Sequence, residues 1–324
     1  MYRSVKGLSG FALLGILLAF LGLGFILAGI AQLMIGLQIM PKGASISDAD
    51  ALVNAMLDPR NVTFSRISQV LGTFFLFFIP AILFSLVANG KNLFWLGFNR
   101  YFSGSQIVIA FFIILAASIA FGPLADMSRE IVSNFPKLDK LAHFLEDQYN
   151  KQVRVLSNLQ SWPEYITAIA IMAFFPALFE EVFFRGALQN FFHRWWNNPW
   201  IAIIVISVIF SIFHSSVYLF ATRFALGCML GVLYYFTRNI WVNVIAHFLN
   251  NAVALTQMFV LSKQKKIVEA DKLDPQLHWI WSIVALFVLF LLFRQLRKIS
   301  AEYRRTIETK EIQLAQSSRS NPFE

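Results

Sequence analysis

The chain has 324 residues, of which 57% are hydrophobic and only 14% are charged, and its formal net charge is +9. Soluble globular domains carry about 25% charged residues, so this composition excludes an ordinary soluble protein and indicates a membrane protein. The single cysteine, Cys228, excludes an intramolecular disulfide and any zinc site built on several cysteines.

Apolar runs long enough to cross a bilayer recur along the whole chain. A helix needs about 20 apolar residues to cross about 30 Å of hydrocarbon. The pattern predicts an all-α, polytopic transmembrane helical bundle of about eight spans. The first run is too long for a signal peptide and lacks a clear A-x-A cleavage site, so we expect a retained helix. The spans are expected at about 9–37, 67–88, 105–125, 165–192, 200–220, 222–238, 240–262 and 279–296.

The tryptophans support these boundaries. Each one lies at or near the end of a predicted span, where amphipathic aromatic rings prefer the membrane–water interface. They are Trp95, Trp162, Trp195, Trp196, Trp200, Trp241, Trp279 and Trp281.

The chain divides into three predicted regions. Residues 1–163 hold N-terminal transmembrane helices and two extramembrane excursions, at about 40–66 and 126–163. Residues 164–262 contain every intramembrane polar cluster, and residues 263–324 hold the last transmembrane helix and a basic tail. The second excursion has amphipathic helical spacing and is expected to lie on the membrane face or to cap the bundle. Its apolar positions are Ile131, Phe135, Leu138, Leu141, Phe144 and Leu145.

The basic tail, "RQLRKISAEYRR", directly follows the last predicted span. Such a tail indicates a cytoplasmic C-terminus that is attracted to anionic lipid headgroups rather than to nucleic acid. We expect a multi-pass integral protein of a bacterial plasma (inner) membrane, surrounded by the lipid bilayer and without a nucleic-acid partner.

The stretch "FPALFEEVFFRG" places three charged side chains inside a predicted span. A charge at the centre of a spanning helix costs about 2.5–3.5 kcal/mol, so these charges need partners. Glu181 and Arg185 are four residues apart on one helix face and can form an ion pair. Glu180 points about 100° away and lacks an evident partner on its own helix. Pro176 is expected to kink this helix and free a backbone carbonyl.

Two histidines follow on later spans. His214 lies in "FSIFHSS", and "NVIAHFLNN" places Asn243, His247 and Asn251 at i, i+4 and i+8 on one helix face. A rise of about 1.5 Å per residue puts Glu180, His214, His247 and Asn251 in one layer of the membrane. We therefore expect them to converge.

This set of side chains is suited to hydrolysis. A carboxylate can deprotonate water and pass the proton to a leaving amine, while an imidazole positions that water. A second imidazole and an amide can stabilise a developing oxyanion. The residues alone also allow a structural ion pair with packing histidines, or a proton or ion path in a transporter. Neither G-x-S-x-G nor H-E-x-x-H occurs in the sequence.

Three segments resemble the motifs of the CPBP intramembrane proteases, which are EExxxR, FxxxH and HxxxN. They are "EEVFFR" (180–185), "FSIFH" (210–214) and "HFLNN" (247–251). The family comprises type II CAAX prenyl endopeptidases and bacteriocin-processing relatives. Each motif alone is short, but all three in order on separate predicted spans are specific. The resemblance covers about 164–262 and implies an all-helical bundle whose carboxylate and histidines face a cavity within the bilayer.

The resemblance also implies roles for individual residues. Glu180 and His214 would activate the attacking water. His247 and Asn251 would form the oxyanion hole.

The resemblance leaves metal dependence open. Glu180, His214 and His247 could supply three zinc ligands and leave one position open. However, Glu180 cannot easily act as both ligand and general base, and Glu181 with Arg185 would give structural support to the motif helix. We therefore expect metal-independent hydrolysis and no cofactor, with zinc, in a metalloendopeptidase-like site, as the alternative.

The predicted function is that of a hydrolase, a membrane endopeptidase of the CAAX-box-processing kind. Its partner would be a membrane-anchored protein or peptide substrate, cut near the C-terminus or at a transmembrane edge. One alternative is a catalytically silent membrane scaffold or chaperone of the same family, which a missing motif residue would favour; none is missing. Another is a proton-coupled transporter, which usually has paired broken helices in two matching halves. The polar groups of this chain instead lie in one contiguous block.

Overall fold

A computed structural model describes residues 3–45, 48–157, 159, 161–264 and 279–320, with side chains up to residue 317. Parts of the regions predicted above lie outside the described residues. They are 1–2 at the N-terminus, 46–47, 158 and 160 of the two excursions, and 265–278 and 321–324 of the C-terminal region.

Helices build the fold of the described chain, and the predicted all-α class is confirmed. In order they are α1 (Gly10–Ile39), α2 (Ala49–Met56), α3 (Pro59–Asn89), α4 (Gly104–Phe121), α5 (Leu124–Ser133), α6 (Pro136–Leu156), α7 (Trp162–Trp196), α8 (Pro199–Phe213), α9 (Phe220–Thr237), α10 (Ile240–Lys263) and α11 (Trp279–Ser320). A short 3₁₀ turn, Leu93–Leu96, precedes α4.

Seven helices of the described chain are long and apolar enough to cross a membrane. The predicted polytopic bundle is therefore confirmed, and the protein is an integral membrane protein. The span predicted at 200–220 is the shorter apolar helix α8. Its 15 residues rise about 22 Å, which is less than the roughly 30 Å of a bilayer core.

The short length of α8 follows from its two ends. The Asn198 side chain accepts hydrogen bonds from two backbone N–H groups of the first turn, and Pro199 starts the helix. Proline is favoured there because the first N–H groups have no partner within a helix. At the other end Ser215 has a φ of 53°, a left-handed conformation that stops the helix. His214 therefore lies at the C-terminal end of α8.

Phenylalanine rings fill the space between α3, α7 and α8. Phe77 packs against Phe183, Phe184 and Phe213 with ring centroids 5.2–5.3 Å apart. Phe184 also meets Phe210 edge-on at 5.2 Å. Each such pair adds about 0.5–1.5 kcal/mol beyond the burial of its area. These contacts fix the helices of the first two motifs against each other, while a second apolar cluster packs α4 against α9, α10 and α11.

The second predicted excursion forms α5 and α6. The side of α6 that packs against the protein includes the buried residues Ala142 and Glu146. The predicted apolar positions instead face outward, which is typical of a helix that lies in the membrane interface. Five of them are 41–59% exposed, namely Ile131, Phe135, Leu138, Leu141 and Phe144.

The last helix is longer than the span predicted at 279–296. It continues to Ser320, so that the basic tail is helical. Glu311 of this tail accepts a hydrogen bond from Arg238 at 2.7 Å and forms an ion pair with Arg194 at 3.1 Å. These ion pairs join the tail to the ends of α7 and α9.

A substitution at Gly186 tests whether α7 packs closely against the turn before α4. A Cβ atom at Gly186 would stand 2.8 Å from the backbone oxygen of Leu96. We predict that Gly186→Ala lowers stability by about 1–3 kcal/mol, because the backbone cannot yield as a side chain would. The measurement is the apparent Tm in detergent micelles. Gly15→Ala is the matched control, since nothing lies within 4 Å of a Cβ there. Equal apparent Tm values for the two variants would contradict the close contact between Gly186 and the Leu96 backbone.

Candidate active site

Helices α7, α8 and α10 bring the three motif segments together at Glu180. The Oε2 atom of Glu180 lies 4.0 Å from Nε2 of His214 and 3.9 Å from Nε2 of His247. The Glu180 side chain is 12% exposed, and its Oε2 accepts no hydrogen bond from any residue that the structure describes. Separations near 4 Å are too long for direct hydrogen bonds but suit one bridging water, at about 2.8 Å from each group.

Glu181 is the centre of a buried hydrogen-bond network and is 0% exposed. Its Oε1 accepts from Nη1 of Arg185 and from Nδ1 of His247, both at 2.9 Å. Its Oε2 accepts from Nδ2 of Asn243 at 3.1 Å. Three donors, one of them a guanidinium, therefore compensate a carboxylate that has lost all contact with solvent.

Arg185 extends this network to two further helices. Its Nη2 donates to the backbone oxygen of Gly227 on α9 at 3.1 Å. Its guanidinium also lies 4.8 Å from the centre of the Phe210 ring on α8. The ion pair predicted between Glu181 and Arg185 is present, and it joins α7 to α8, α9 and α10.

Both histidines turn Nε2 toward Glu180 because their Nδ1 atoms are occupied. Nδ1 of His214 donates to the carbonyl of Phe210 at 2.8 Å, and Nδ1 of His247 donates to Glu181. These assignments follow because carbonyl and carboxylate oxygens accept hydrogen bonds. A neutral imidazole with Nδ1–H has a lone pair on Nε2 and accepts there. Donation from His247 Nε2 to an oxyanion therefore requires the imidazolium form, whose charge the Glu181 carboxylate would balance.

Wide π-helical turns flank the two glutamates in α7. One is Ile169–Phe174 and the other is Val182–Gln189. The first ends two residues before Pro176, which cannot take part in regular α-helical hydrogen bonding. At the predicted kink site the structure thus has a widened turn. Isolated π turns are frequent at functional sites, and these two set the rotation of the short segment Phe175–Glu181.

A cavity of about 460 Å³ lies beside these groups. His214, His247 and Asn251 line it, together with apolar side chains. Glu180 is not among the lining residues, and the two histidines that face it form part of the wall. The side chain of Asn251 has a long 3.5 Å contact with Nδ2 of Asn250. Three of the four predicted site residues therefore line one cavity, whereas Glu180, which the resemblance places facing it, is not part of its lining.

Two further cavity residues were not predicted. Nη1 of Arg223 donates to the backbone oxygen of His214 at 3.0 Å, and Nη2 donates to the Tyr149 hydroxyl at 2.7 Å. Both Arg223 and Tyr149 line the cavity. The sequence does contain a signal for Arg223, a cation within an apolar span. It contains none for Tyr149, which lies on α6, outside the predicted core.

The loop that follows His214 is held from α6. Oε1 of Glu146 accepts from the Ser216 hydroxyl at 2.6 Å and from the Tyr218 N–H at 3.1 Å. Glu146 is 4% exposed. This buried contact fixes the loop, so the second excursion contributes directly to the surroundings of His214.

The described residues contain no group of three or more His, Cys, Asp or Glu side chains arranged to hold a metal ion. Glu180, His214 and His247 have the donor types of a zinc site. Ligand atoms of a tetrahedral zinc ion lie about 3.3 Å apart. The 3.9 and 4.0 Å separations from Glu180 are longer, so the three side chains as arranged do not fit zinc.

Residues 162–253 match a family model described as "Type II CAAX prenyl endopeptidase Rce1-like". This segment is under a third of the chain and contains all three motifs. The resemblance predicted from the motifs is confirmed, and the segment is Rce1-like. No curated protein and no solved structure matches the chain.

Arg185→Ala is predicted to lower the stability and abundance of the protein. The change leaves Glu181 buried with too few donors, and removing one partner of a buried ion pair costs about 3–5 kcal/mol. Arg60→Ala is the matched control, because Arg60 pairs with Asp58 while 88% exposed and such pairs contribute little. The measurements are protein per unit of membrane and apparent Tm in detergent.

The double variant Glu181→Gln/Arg185→Ala separates charge balance from packing. It removes the unpaired carboxylate yet keeps an amide oxygen for Nδ1 of His247. We expect it to be more abundant than Arg185→Ala alone. A double variant no more abundant than the single one would show that Arg185 acts through packing.

Proposed function

We propose that this protein is a membrane endopeptidase that hydrolyses a peptide bond near the C-terminus of a membrane-anchored protein or peptide. One observation carries the proposal. Oε2 of Glu180 accepts no hydrogen bond from any described residue. It faces Nε2 of His214 at 4.0 Å and Nε2 of His247 at 3.9 Å, within a segment that is Rce1-like. A carboxylate and an imidazole about 4 Å apart are suited to activating a water that binds between them.

The proposed reaction begins with a water molecule between Glu180 and His214. Glu180 takes one proton as the water oxygen attacks the scissile carbonyl carbon, and Nε2 of His214 accepts a hydrogen bond from the other water hydrogen. Protonated Glu180 then gives its proton to the leaving nitrogen. The C–N bond breaks, the water oxygen stays in the new carboxyl group, and Glu180 is ionised again.

His247 and Asn251 are the proposed donors to the oxyanion that forms during the attack. His247 would act as the imidazolium, with Glu181 balancing its charge at 2.9 Å on the opposite side of the ring. Asn251 would donate from its amide. A donor of this kind contributes about 2.7–4 kcal/mol to stabilisation of the transition state.

The proposed substrate carries a C-terminal CAAX box, in which a prenylated cysteine is followed by aliphatic residues. A prenyl chain holds such a peptide at the bilayer, where a cavity among transmembrane helices can receive it. A volume of about 460 Å³ falls within the usual range for ligand sites. The apolar wall is suited to aliphatic side chains and includes Phe111, Ile114, Leu115, Leu226 and Leu249.

The proposed location is a bacterial plasma membrane with the C-terminal tail in the cytoplasm. The support for this orientation is the run of basic residues that follows the last apolar segment, because positively charged flanks are retained on the cytoplasmic side.

Glu180→Gln is predicted to abolish cleavage of a prenylated CAAX peptide by the purified protein in lipid vesicles. An amide cannot take the proton, so the rate should fall by about 10²–10⁴-fold while the apparent Tm stays unchanged. Glu164→Gln is the matched control on the same helix, because Glu164 caps the α7 N-terminus through Ser161, far along the helix from Glu180, and glutamine can cap as well. Full activity of Glu180→Gln would refute the general base. A fall in Tm as large as that of Arg185→Ala would make Glu180 structural and favour a silent scaffold.

Metal removal is predicted to leave activity intact, because Glu180 deprotonates water without help from an ion. The purified protein is treated exhaustively with a strong chelator, and activity and metal content are measured on the same preparation. His247→Ala should lose about a hundred- to a thousandfold in rate with no change in bound metal. If the protein loses one equivalent of zinc together with its activity, and added zinc restores both, the metal-independent route is overturned. The proposal of peptide hydrolysis would remain.

A further inference from the structure

Arg223 is a permanent cation on the wall of the active-site cavity. It lies in the first turns of α9, a membrane-spanning helix, and lines the cavity together with His214, His247 and Asn251. A charged side chain in such a helix is costly to insert, by about 2.5–3.5 kcal/mol at the centre of the bilayer. Charges retained in spans usually face a cavity and mark the path of a ligand.

The contacts of Arg223 are with neutral groups. Its guanidinium donates to the backbone oxygen of His214 and to the Tyr149 hydroxyl, and lies 4.8 Å from the centre of the Tyr149 ring. Within the part of the chain that the structure describes, no carboxylate oxygen lies within 4.0 Å of it. Two of its five N–H groups are used by these two hydrogen bonds.

Four other arginines around the core differ in this respect. Each of them has a carboxylate partner 2.7–3.1 Å away. They are Arg185, Arg194, Arg238 and Arg304. Arg223 is thus held in place by a tyrosine ring and a carbonyl, without a carboxylate among the described residues in direct contact with it. This arrangement is suited to an anionic ligand, and the planar guanidinium fork matches a carboxylate in particular.

We propose that Arg223 binds the free C-terminal carboxylate of the peptide substrate. The inference rests on the proposed endopeptidase function and adds a recognition residue to it. A bond cut within a CAAX box is separated from the terminal carboxylate by at most about three residues, or about 10 Å of extended chain. Arg223 contacts the backbone of His214, whose imidazole faces Glu180 at 4.0 Å. A peptide of that length can therefore reach the reacting groups and Arg223 together.

Binding of the carboxylate sets where the chain is cut. With the C-terminus held at Arg223, the bond presented to Glu180 is the one at a fixed number of residues from the end. The enzyme would then reject internal loops of membrane proteins, which carry no terminal carboxylate. Arg223 would act as a specificity residue and not as a participant in bond cleavage.

The test compares two prenylated CAAX peptides that are identical except for a free C-terminal carboxylate or a C-terminal amide. The full-length protein is assayed in phosphatidylcholine vesicles, which contain no net anionic lipid. We expect wild type to cleave the acid with a kcat/KM about 10- to 100-fold above that of the amide, the range of one charged hydrogen bond. In Arg223→Gln the ratio should fall to about one because the acid becomes a poor substrate. Arg100→Gln, an exposed arginine before α4, is the control and should keep the wild-type ratio.

A structural role of Arg223, through the carbonyl of His214, would lower kcat for both peptides and leave their ratio unchanged. That outcome overturns the proposal, as does equal cleavage of the two peptides by wild type. Activation of wild type by phosphatidylglycerol that Arg223→Gln lacks, without any acid preference, would assign Arg223 to a lipid headgroup instead.

A binding measurement keeps the two proposals distinguishable. In the Glu180→Gln background, the labelled acid should bind about 10- to 100-fold more tightly than the amide, and addition of Arg223→Gln should remove the difference. If wild type cleaves neither peptide but Glu180→Gln still prefers the acid, the carboxylate site stands and the endopeptidase function fails. If both peptides are cleaved and bound equally, the function stands and the role of Arg223 fails.

Discussion

The Glu181 carboxylate has no contact with solvent, so its charge is tolerable only while Arg185, His247 and Asn243 donate to it. Arg185 lies one turn further along α7 than Glu181, and Asn243 and His247 lie on two successive turns of α10. The hydrogen bonds therefore fix the rotation and the axial position of the two helices relative to each other. They also fix the ring of His247, because a ring held at Nδ1 must point Nε2 the other way.

Glu180 differs from its neighbour through its position on the helix, not its chemistry. About 100° around α7, it faces two imidazoles and not a set of donors. Its Oε2 is left without a donor among the described residues, at a distance from each imidazole that suits a water molecule. The satisfied carboxylate thus builds the frame, and the unsatisfied one is the reactive group in the proposed mechanism. The wide π turns before and after this pair of residues are the local feature that sets both orientations.

Hydropathy was sufficient to predict the all-α bundle and most of its spans, because crossing a bilayer demands a run of apolar residues wherever the helix packs. It overestimated the length of α8, because the helix stops at Ser215, which has a left-handed conformation. The loop that follows is held by Glu146, 70 residues before Ser216 in the sequence. Helical spacing was sufficient to predict the Glu181–Arg185 pair but gave no role to Asn243, whose partner lies on another helix. Tyr149 could not be found at all. It reaches the cavity from a helix outside the Rce1-like segment, and only tertiary packing brings it there.

The most direct measurement of the central claim is mass spectrometry of C-terminal peptides from membranes of cells that lack this protein. The cells are complemented either with wild type or with Glu180→Gln at equal abundance. If Glu180 drives peptide hydrolysis, one or more membrane-anchored proteins will keep their full C-terminus in the deletion and with Glu180→Gln, and will lose its last residues with wild type. Shortened C-termini that return equally with Glu180→Gln, or that never depend on the protein, would contradict the account.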